Sequence, residues 1–209
     1  VPSERDAMVE RQLRERGIAD ERVLEAMARV PRERFVPDEL QDRAYEDGAL
    51  PIGGGQTISQ PYMVALICSQ LALRGDERVL DVGTGSGYQA AVLAELAGEV
   101  HSVERLPELA ARARERLAAA GYDRVRVHVG DGTLGLPAHA PFAAIAVAAA
   151  APELPQALYE QLRQRGRLVV PVGPREEQRL EVVVRTPEGP ATLHTIPCRF
   201  VPLLGAEGF

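Results

Sequence analysis

Lysine, asparagine and tryptophan are absent from the 209 residues, and only two cysteines occur, Cys68 and Cys198. The cysteines stand far apart and form no C-x-x-C arrangement. That argues against a disulfide scaffold or a cysteine-based zinc site and fits a reducing, cytoplasmic compartment. With lysine missing, arginine alone carries the positive side chains, yet no basic block forms and the formal net charge is −6. Binding a polyanion needs clustered cations, so no nucleic-acid partner is expected. No apolar run approaches the ~20 residues of a membrane span, and no membrane partner is expected. The nearest such run, Ala143 to Ala151, is short and mostly alanine. Residues 1–14 are charged and lack the apolar stretch of a signal peptide. The missing lysine and asparagine read as genome composition rather than function. What is present is ordinary: 45% hydrophobic and 26% charged residues, the balance of a globular chain. The length allows one domain with a sizeable core, and a monomer is expected.

Apolar periodicity places helices over Arg5 to Glu15 and Asp20 to Ala28, with Gly17 breaking the first and Asp20 capping the second. From Pro31 to Pro61 the chain reads as irregular, with glycines at Gly53, Gly54 and Gly55. A loop of that length is usually functional or disordered. Gln60-Pro61 then opens a helix to about Leu73. Strands and helices alternate from there: strand Arg78 to Val82, helix Tyr88 to Leu96, strand Val100 to Glu104 and helix Pro107 to Ala120. Strands Val125 to Val129 and Phe142 to Val147, helix Pro155 to Arg163 and strand Arg167 to Val172 follow. This alternation predicts an α/β fold, a doubly wound and mostly parallel sheet with helices on both faces. Leu180 to Arg185 and Ala191 to Ile196 read as an antiparallel hairpin. The expectation is a single domain in three parts: N-terminal helices and loop (1–75), α/β core (76–173) and antiparallel strands (174–209).

The segment Asp81-Val82-Gly83-Thr84-Gly85-Ser86-Gly87 joins the first core strand to its helix. Ligands of such sheets bind beyond the carboxyl ends of the strands. Glycines there let the backbone turn and approach a ligand closely. The spacing is G-x-G-x-G. A dinucleotide fingerprint needs G-x-G-x-x-G, and Tyr88 occupies the last position of that pattern. Asp81 would repel a pyrophosphate but would suit the ammonium group of S-adenosylmethionine, which carries no phosphate. Glu104, 21 residues after Gly83, can accept from both ribose hydroxyls. Asp131-Gly132 follows the third strand, and Asp131 can accept from the adenine amino group; the alternative for Asp131 is an ordinary cap. Three such elements at consecutive strand ends point to a Rossmann-like, class I S-adenosylmethionine-dependent methyltransferase.

Pro51-Ile52-Gly53-Gly54-Gly55-Gln56-Thr57-Ile58-Ser59-Gln60-Pro61 resembles the signature of the protein-L-isoaspartate O-methyltransferase family. Val30-Pro31-Arg32, Gly130-Asp131-Gly132 and Arg199-Phe200-Val201-Pro202-Leu203 resemble it too, in the right order along nearly the whole chain. The resemblance implies methylation of the α-carboxylate of L-isoaspartyl residues in damaged proteins and peptides. The ester then closes to a succinimide with loss of methanol, and hydrolysis returns some aspartate. It implies Ser59 as the active-site residue, with Thr57, Ile58 and Ser59 beside the cofactor along with the glycine loop, Glu104 and Asp131-Gly132. It also implies that Thr57, Ser59 and the backbone near Val201 hold the substrate. Three positions depart from the family pattern: Val64, Ala143 and Ala148.

A carboxylate nucleophile is already ionised at neutral pH, with a reference pKa near ~4, so a general base adds little. His101, His128, His139 and His194 are read as structural or surface residues, and no metal is expected. Two local readings stay open. Ser59 either orients substrate or caps the helix that Pro61 begins. The glycine run at Gly53 either closes over ligand or is a simple turn. Rival functions are a carboxyl methyltransferase for a dedicated biosynthetic peptide or small molecule, a non-catalytic module and an NAD oxidoreductase. Biosynthetic relatives are expected to carry an added C-terminal segment, whereas this sequence ends soon after Leu203.

Overall fold

The computed structural model describes residues 3–174 and 176–209; Val1, Pro2 and Arg175 lie outside the described residues. Ser3 starts helix α1 (Glu4–Met8) through a reciprocal capping box with Asp6. The helix runs on through a wider turn over Val9–Arg14, burying Met8, Val9 and Leu13. Asp20 accepts from the N–H groups of Arg22 and Val23 and opens α2 (Glu21–Arg29), which buries Val23, Leu24, Ala26 and Met27.

The stretch read as irregular holds more structure than its composition suggests. Two short 3₁₀ turns, Arg32–Phe35 and Asp38–Arg43, lead to a hairpin of β1 (Leu50–Gly53) and β2 (Gln56–Ile58). Leu50, Ile52 and Ile58 point inward, while Pro51 and Thr57 are exposed. Gly53, Gly54 and Gly55 all have positive φ, +90°, +61° and +71°, which makes the tight turn possible. Strands this short carry too little alternation to stand out in the sequence. The glycine run therefore builds a hairpin tip, docked beside Leu106 and Arg112.

Helix α3 (Pro61–Leu71) follows, with Pro61 in its first turn. The core then alternates β3 (Arg78–Val82), α4 (Tyr88–Leu96), β4 (Glu99–Glu104), α5 (Pro107–Ala119), β5 (Arg126–Val129) and β6 (Phe142–Val147). A short α6 (Gln156–Glu160) precedes β7 (Leu162–Val172), β8 (Gln178–Thr186) and β9 (Gly189–Cys198). The expected helix over Pro155 to Arg163 is shorter because β7 starts early. Leu162 already pairs with Phe142 before a bulge, where Arg165 has φ +63°, and pairing resumes at Arg167.

The seven strands lie in the order β5-β4-β3-β6-β7-β8-β9, parallel through β7 and antiparallel beyond it. Helices α2 to α5 pack on one face, around Val79, Leu93, Val100 and Leu109. Helix α6 and Leu203 pack on the other, with Leu80, Val103 and Ile145. The chain winds outward from β3 through β4 to β5, then returns to β6 on the other side of β3. That reversal leaves a crevice beyond the carboxyl end of β3. Among the described residues no helix is long and apolar enough to cross a membrane.

Candidate active site

The loop after β3 turns back on itself. Gly83, Gly85 and Gly87 have φ of +90°, +52° and +91°, where a side chain would be strained. Gly83 and Thr84 both donate N–H groups to the Val103 carbonyl, at 2.9 and 3.2 Å, which ties the loop to β4. A Cβ on Gly85 would lie 3.3 Å from Ile52 of the hairpin, so the hairpin roofs the loop closely.

Between loop and roof lies a cleft. Of the residues expected at the cofactor, the structure brings Thr57, Ile58, Ser59, Gly83, Thr84, Gly85, Ser86, Glu104 and Gly132 to its wall, with Val201. Glu104 is 7% exposed. Its two oxygens accept from Gly85 N at 2.9 Å and Leu106 N at 3.0 Å, which aims the carboxylate and leaves further lone pairs for a ligand.

Three expected residues do not line the cleft. Gly87 sits behind the loop as the N-cap of α4. Asp81 is wholly buried beneath the loop, accepting from Gln89 at 2.8 Å and Ser102 at 2.7 Å. Burial pushes its carboxyl up to about 6, against the pull of those two bonds. Its carboxylate therefore braces α4 and β4, where the sequence reading set it against the ligand's ammonium group. Asp131 caps the turn Gly132–Leu134. One of its oxygens accepts from Thr133 N and Oγ1, and the other accepts from Ala206 N at 2.8 Å. Burial opposes its ionisation, but these bonds outweigh it and hold the carboxyl below its usual range. Asp131 thus anchors the C-terminal segment, and the adenine role expected for it is not visible in this arrangement.

A second, more open cavity adjoins the first, and the two share Thr57, Ser59, Ala148 and Val201. Asp47, Gln60, Met63, Arg199 and Phe200 are among its other wall residues. The sequence reading gave Asp47 and Gln60 no role at the site; they meet through a 2.6 Å bond from Gln60 Nε2 to Asp47 Oδ1. Arg105, also missed, follows Glu104 in the first cleft. Helix α3 is capped at Gln60 without a side-chain bond, so Ser59 is not its cap. Among the described residues no hydrogen bond engages the hydroxyl of Ser59 or Thr57. The Val201 carbonyl accepts from Ala150 N at 2.8 Å, and Leu203 N donates to the Ala150 carbonyl at 2.7 Å. That pairing fixes the tail against the strand end and leaves the Val201 N–H without a partner among the described residues. Val64 lines the first cleft and Ala148 lines both, so two of the three departures from the family pattern fall at the site. Among the described residues no histidine lines either cavity.

The chain matches the profile of the protein-L-isoaspartate(D-aspartate) O-methyltransferase (PCMT) family over residues 3–208. It belongs to that family. Family membership makes it an S-adenosylmethionine-dependent O-methyltransferase. A protein-L-isoaspartate O-methyltransferase of Methanoculleus marisnigri is 58% identical over 99% of this chain and 94% of its own length. Protein-L-isoaspartate O-methyltransferase 2 of an Anaeromyxobacter species is also 58% identical, over 96% of this chain and 83% of its own. Among solved structures, a beta-aspartate methyltransferase (PCMT) of Plasmodium falciparum, in complex with S-adenosyl-L-homocysteine, superposes with a TM-score of 0.83. That match has 26% identity over 97% of this chain and 99% of the other. The likeness to this family thus extends from sequence to fold over nearly the whole chain.

Proposed function

We propose that this enzyme binds S-adenosylmethionine in the cleft over the glycine loop and methylates the free α-carboxylate of L-isoaspartyl residues presented in the adjoining cavity. The observation that carries this reading is the shared wall of Thr57, Ser59, Ala148 and Val201, where a small-residue opening meets two hydroxyls that have no partner among the described residues. The cleft fits the cofactor: its floor is glycine backbone that tolerates close approach, and one aimed carboxylate, Glu104, is placed to accept from ribose hydroxyls. When bound, S-adenosylmethionine supplies an electrophilic methyl group.

The chain's own residues then position and enclose. Ser59 donates its hydroxyl to one oxygen of the substrate carboxylate and leaves the other free to attack. Thr57, two residues earlier in the hairpin's second strand, supplies a second donor. The Val201 N–H holds the peptide backbone beside them, in the manner of strand addition. No residue has to take a proton, because the nucleophile is already ionised, and among the described residues no histidine lines the walls. Orientation of this kind can supply several kcal/mol of barrier lowering. The hairpin roof excludes water and strengthens each electrostatic contact beneath it.

The test offers methyl-labelled S-adenosylmethionine with paired peptides that differ only in an aspartyl or isoaspartyl linkage. Base-labile label on the isoaspartyl peptide alone is expected. Label on both, on neither, or only on a small molecule would overturn the substrate assignment.

A further inference from the structure

Three histidines that the sequence scatters between residues 101 and 139 converge at the end of the sheet away from the active site. His101 lies on β4, His128 on the edge strand β5, and His139 in the turn before β6. The cluster sits near the strand starts: the His139 carbonyl accepts from Arg78, the first residue of β3, at 3.2 Å. One ring nitrogen from each histidine lies within 4.8 Å of the other two. His101 Nδ1 and His128 Nε2 are already 3.0 Å apart. In a tetrahedral site with metal–nitrogen bonds of ~2.0–2.1 Å, neighbouring ligand nitrogens stand roughly 3.3 Å apart. One pair is therefore at ligand spacing, and only the His139 ring has to close in.

A second observation gives the cluster its polarity. The Glu99 carboxylate lies 3.0 Å from His101 Nε2 and accepts its proton. That fixes the tautomer and puts the His101 lone pair on Nδ1, facing the other two rings. Metal-binding histidines almost always donate their remaining N–H to such a partner. Arg78 and Arg126 both pair with the same carboxylate, at 2.7 and 2.9 Å, and hold it in place. The His139 ring, 4.3 Å from His101 between centroids, makes no hydrogen bond of its own among the described residues.

We propose that His101, His128 and His139 form a binding site for a divalent cation of the zinc class, with a fourth position open to water. Imidazole nitrogen suits zinc and its borderline neighbours, whereas magnesium and calcium require oxygen ligands. The bound ion would tie the edge strand β5 and the turn before β6 to β4. It takes no part in methyl transfer, so it is a structural staple at the blind end of the sheet.

The experiment titrates chelator-treated, full-length enzyme with Zn²⁺ by calorimetry and with Co²⁺ by visible absorption. One equivalent of each is expected to bind, with a Co²⁺ spectrum of low-coordinate nitrogen ligation. His128→Ala and His139→Ala change partly exposed residues and should keep the fold, which a melting curve checks. Each is expected to weaken Zn²⁺ binding by more than the ~10–100-fold typical of losing an outer-shell partner, and Glu99→Gln by about that range. Zn²⁺ should raise the melting temperature of the parent chain and not that of either alanine variant. His139→Gln, which preserves more bulk, should lose Zn²⁺ as well. Failure to bind one equivalent, or undiminished affinity in the His128 and His139 variants, would overturn the proposal.

Discussion

Arg32 Nη2 donates to the main-chain carbonyl of Ser59 across 2.8 Å. The same guanidinium reaches the Ala44 carbonyl at 2.7 Å and lies 4.8 Å from the centre of the Tyr88 ring. It is fully buried, and its Nη1 has no partner among the described residues. Burial drives its pKa down, and among the described residues no carboxylate pairs with the charge to offset it. Such a costly group is explained by what it holds, the backbone of the residue proposed to meet substrate. Lysine carries a point charge and cannot span both carbonyls as the planar fork does. Arg32→Lys is expected to lower kcat about tenfold, ~1.4 kcal/mol in the barrier, with S-adenosylhomocysteine affinity little changed. Steady-state kinetics and calorimetry on the same preparation check both halves.

The Ser59 hydroxyl has no partner among the described residues, so its removal leaves no described group stranded. Ser59→Ala should therefore keep the melting temperature. Turnover on isoaspartyl peptide should fall by about 10–100-fold, the scale of a hydrogen bond to a charged group. Ser59→Thr, which keeps the hydroxyl, should recover part of that loss.

Glu104 gives a different signature. Glu104→Ala removes the acceptor expected at the ribose and frees the N–H groups of Gly85 and Leu106. S-adenosylhomocysteine binding should weaken by roughly 1–3 kcal/mol. Calorimetry that finds it unchanged would show that the ribose lies elsewhere.

Asp81 makes stability depend on pH. Its carboxyl is raised from an ordinary 3.8 to about 6 by burial. A group with the higher value in the folded state binds more protons folded than unfolded between these two limits. Its favourable contribution is complete below about 3.8 and is lost as pH rises through about 6. The loss is on the order of 3 kcal/mol. Asp81→Asn stays neutral and can still meet Gln89 and Ser102. Urea unfolding should show the asparagine variant gaining on the parent as pH rises across this window, with the gap constant above it.

The parts of the fold that were legible share a cause. β3, α4 and β6 have the bounds read from the sequence because each is a largely apolar stretch with a glycine or proline beside at least one end. The hairpin was not legible, since strands of four and three residues give no periodicity. At the site, spacing placed an acid at the end of each of three strands but did not say which way each carboxylate turns. Glu104 faces the cleft, Asp81 turns under the loop to Gln89, and Asp131 turns to the tail at Ala206. That choice depends on which neighbours donate, and those come from distant segments. Asp47 was invisible for the same reason: the 3₁₀ turns bring it to Gln60 from an aperiodic stretch.

The central claim is that the cofactor's methyl meets a carboxylate where the two cavities join. A crystal structure with S-adenosylhomocysteine and an isoaspartyl peptide bound together tests it most directly. The expected result puts the ribose on Glu104 and the sulfur at the opening between Ser59, Ala148 and Val201. A peptide carboxylate oxygen should then lie roughly 3–3.5 Å from where the methyl would sit. A nucleoside bound outside the glycine loop, or a sulfur walled off from the second cavity, would contradict it.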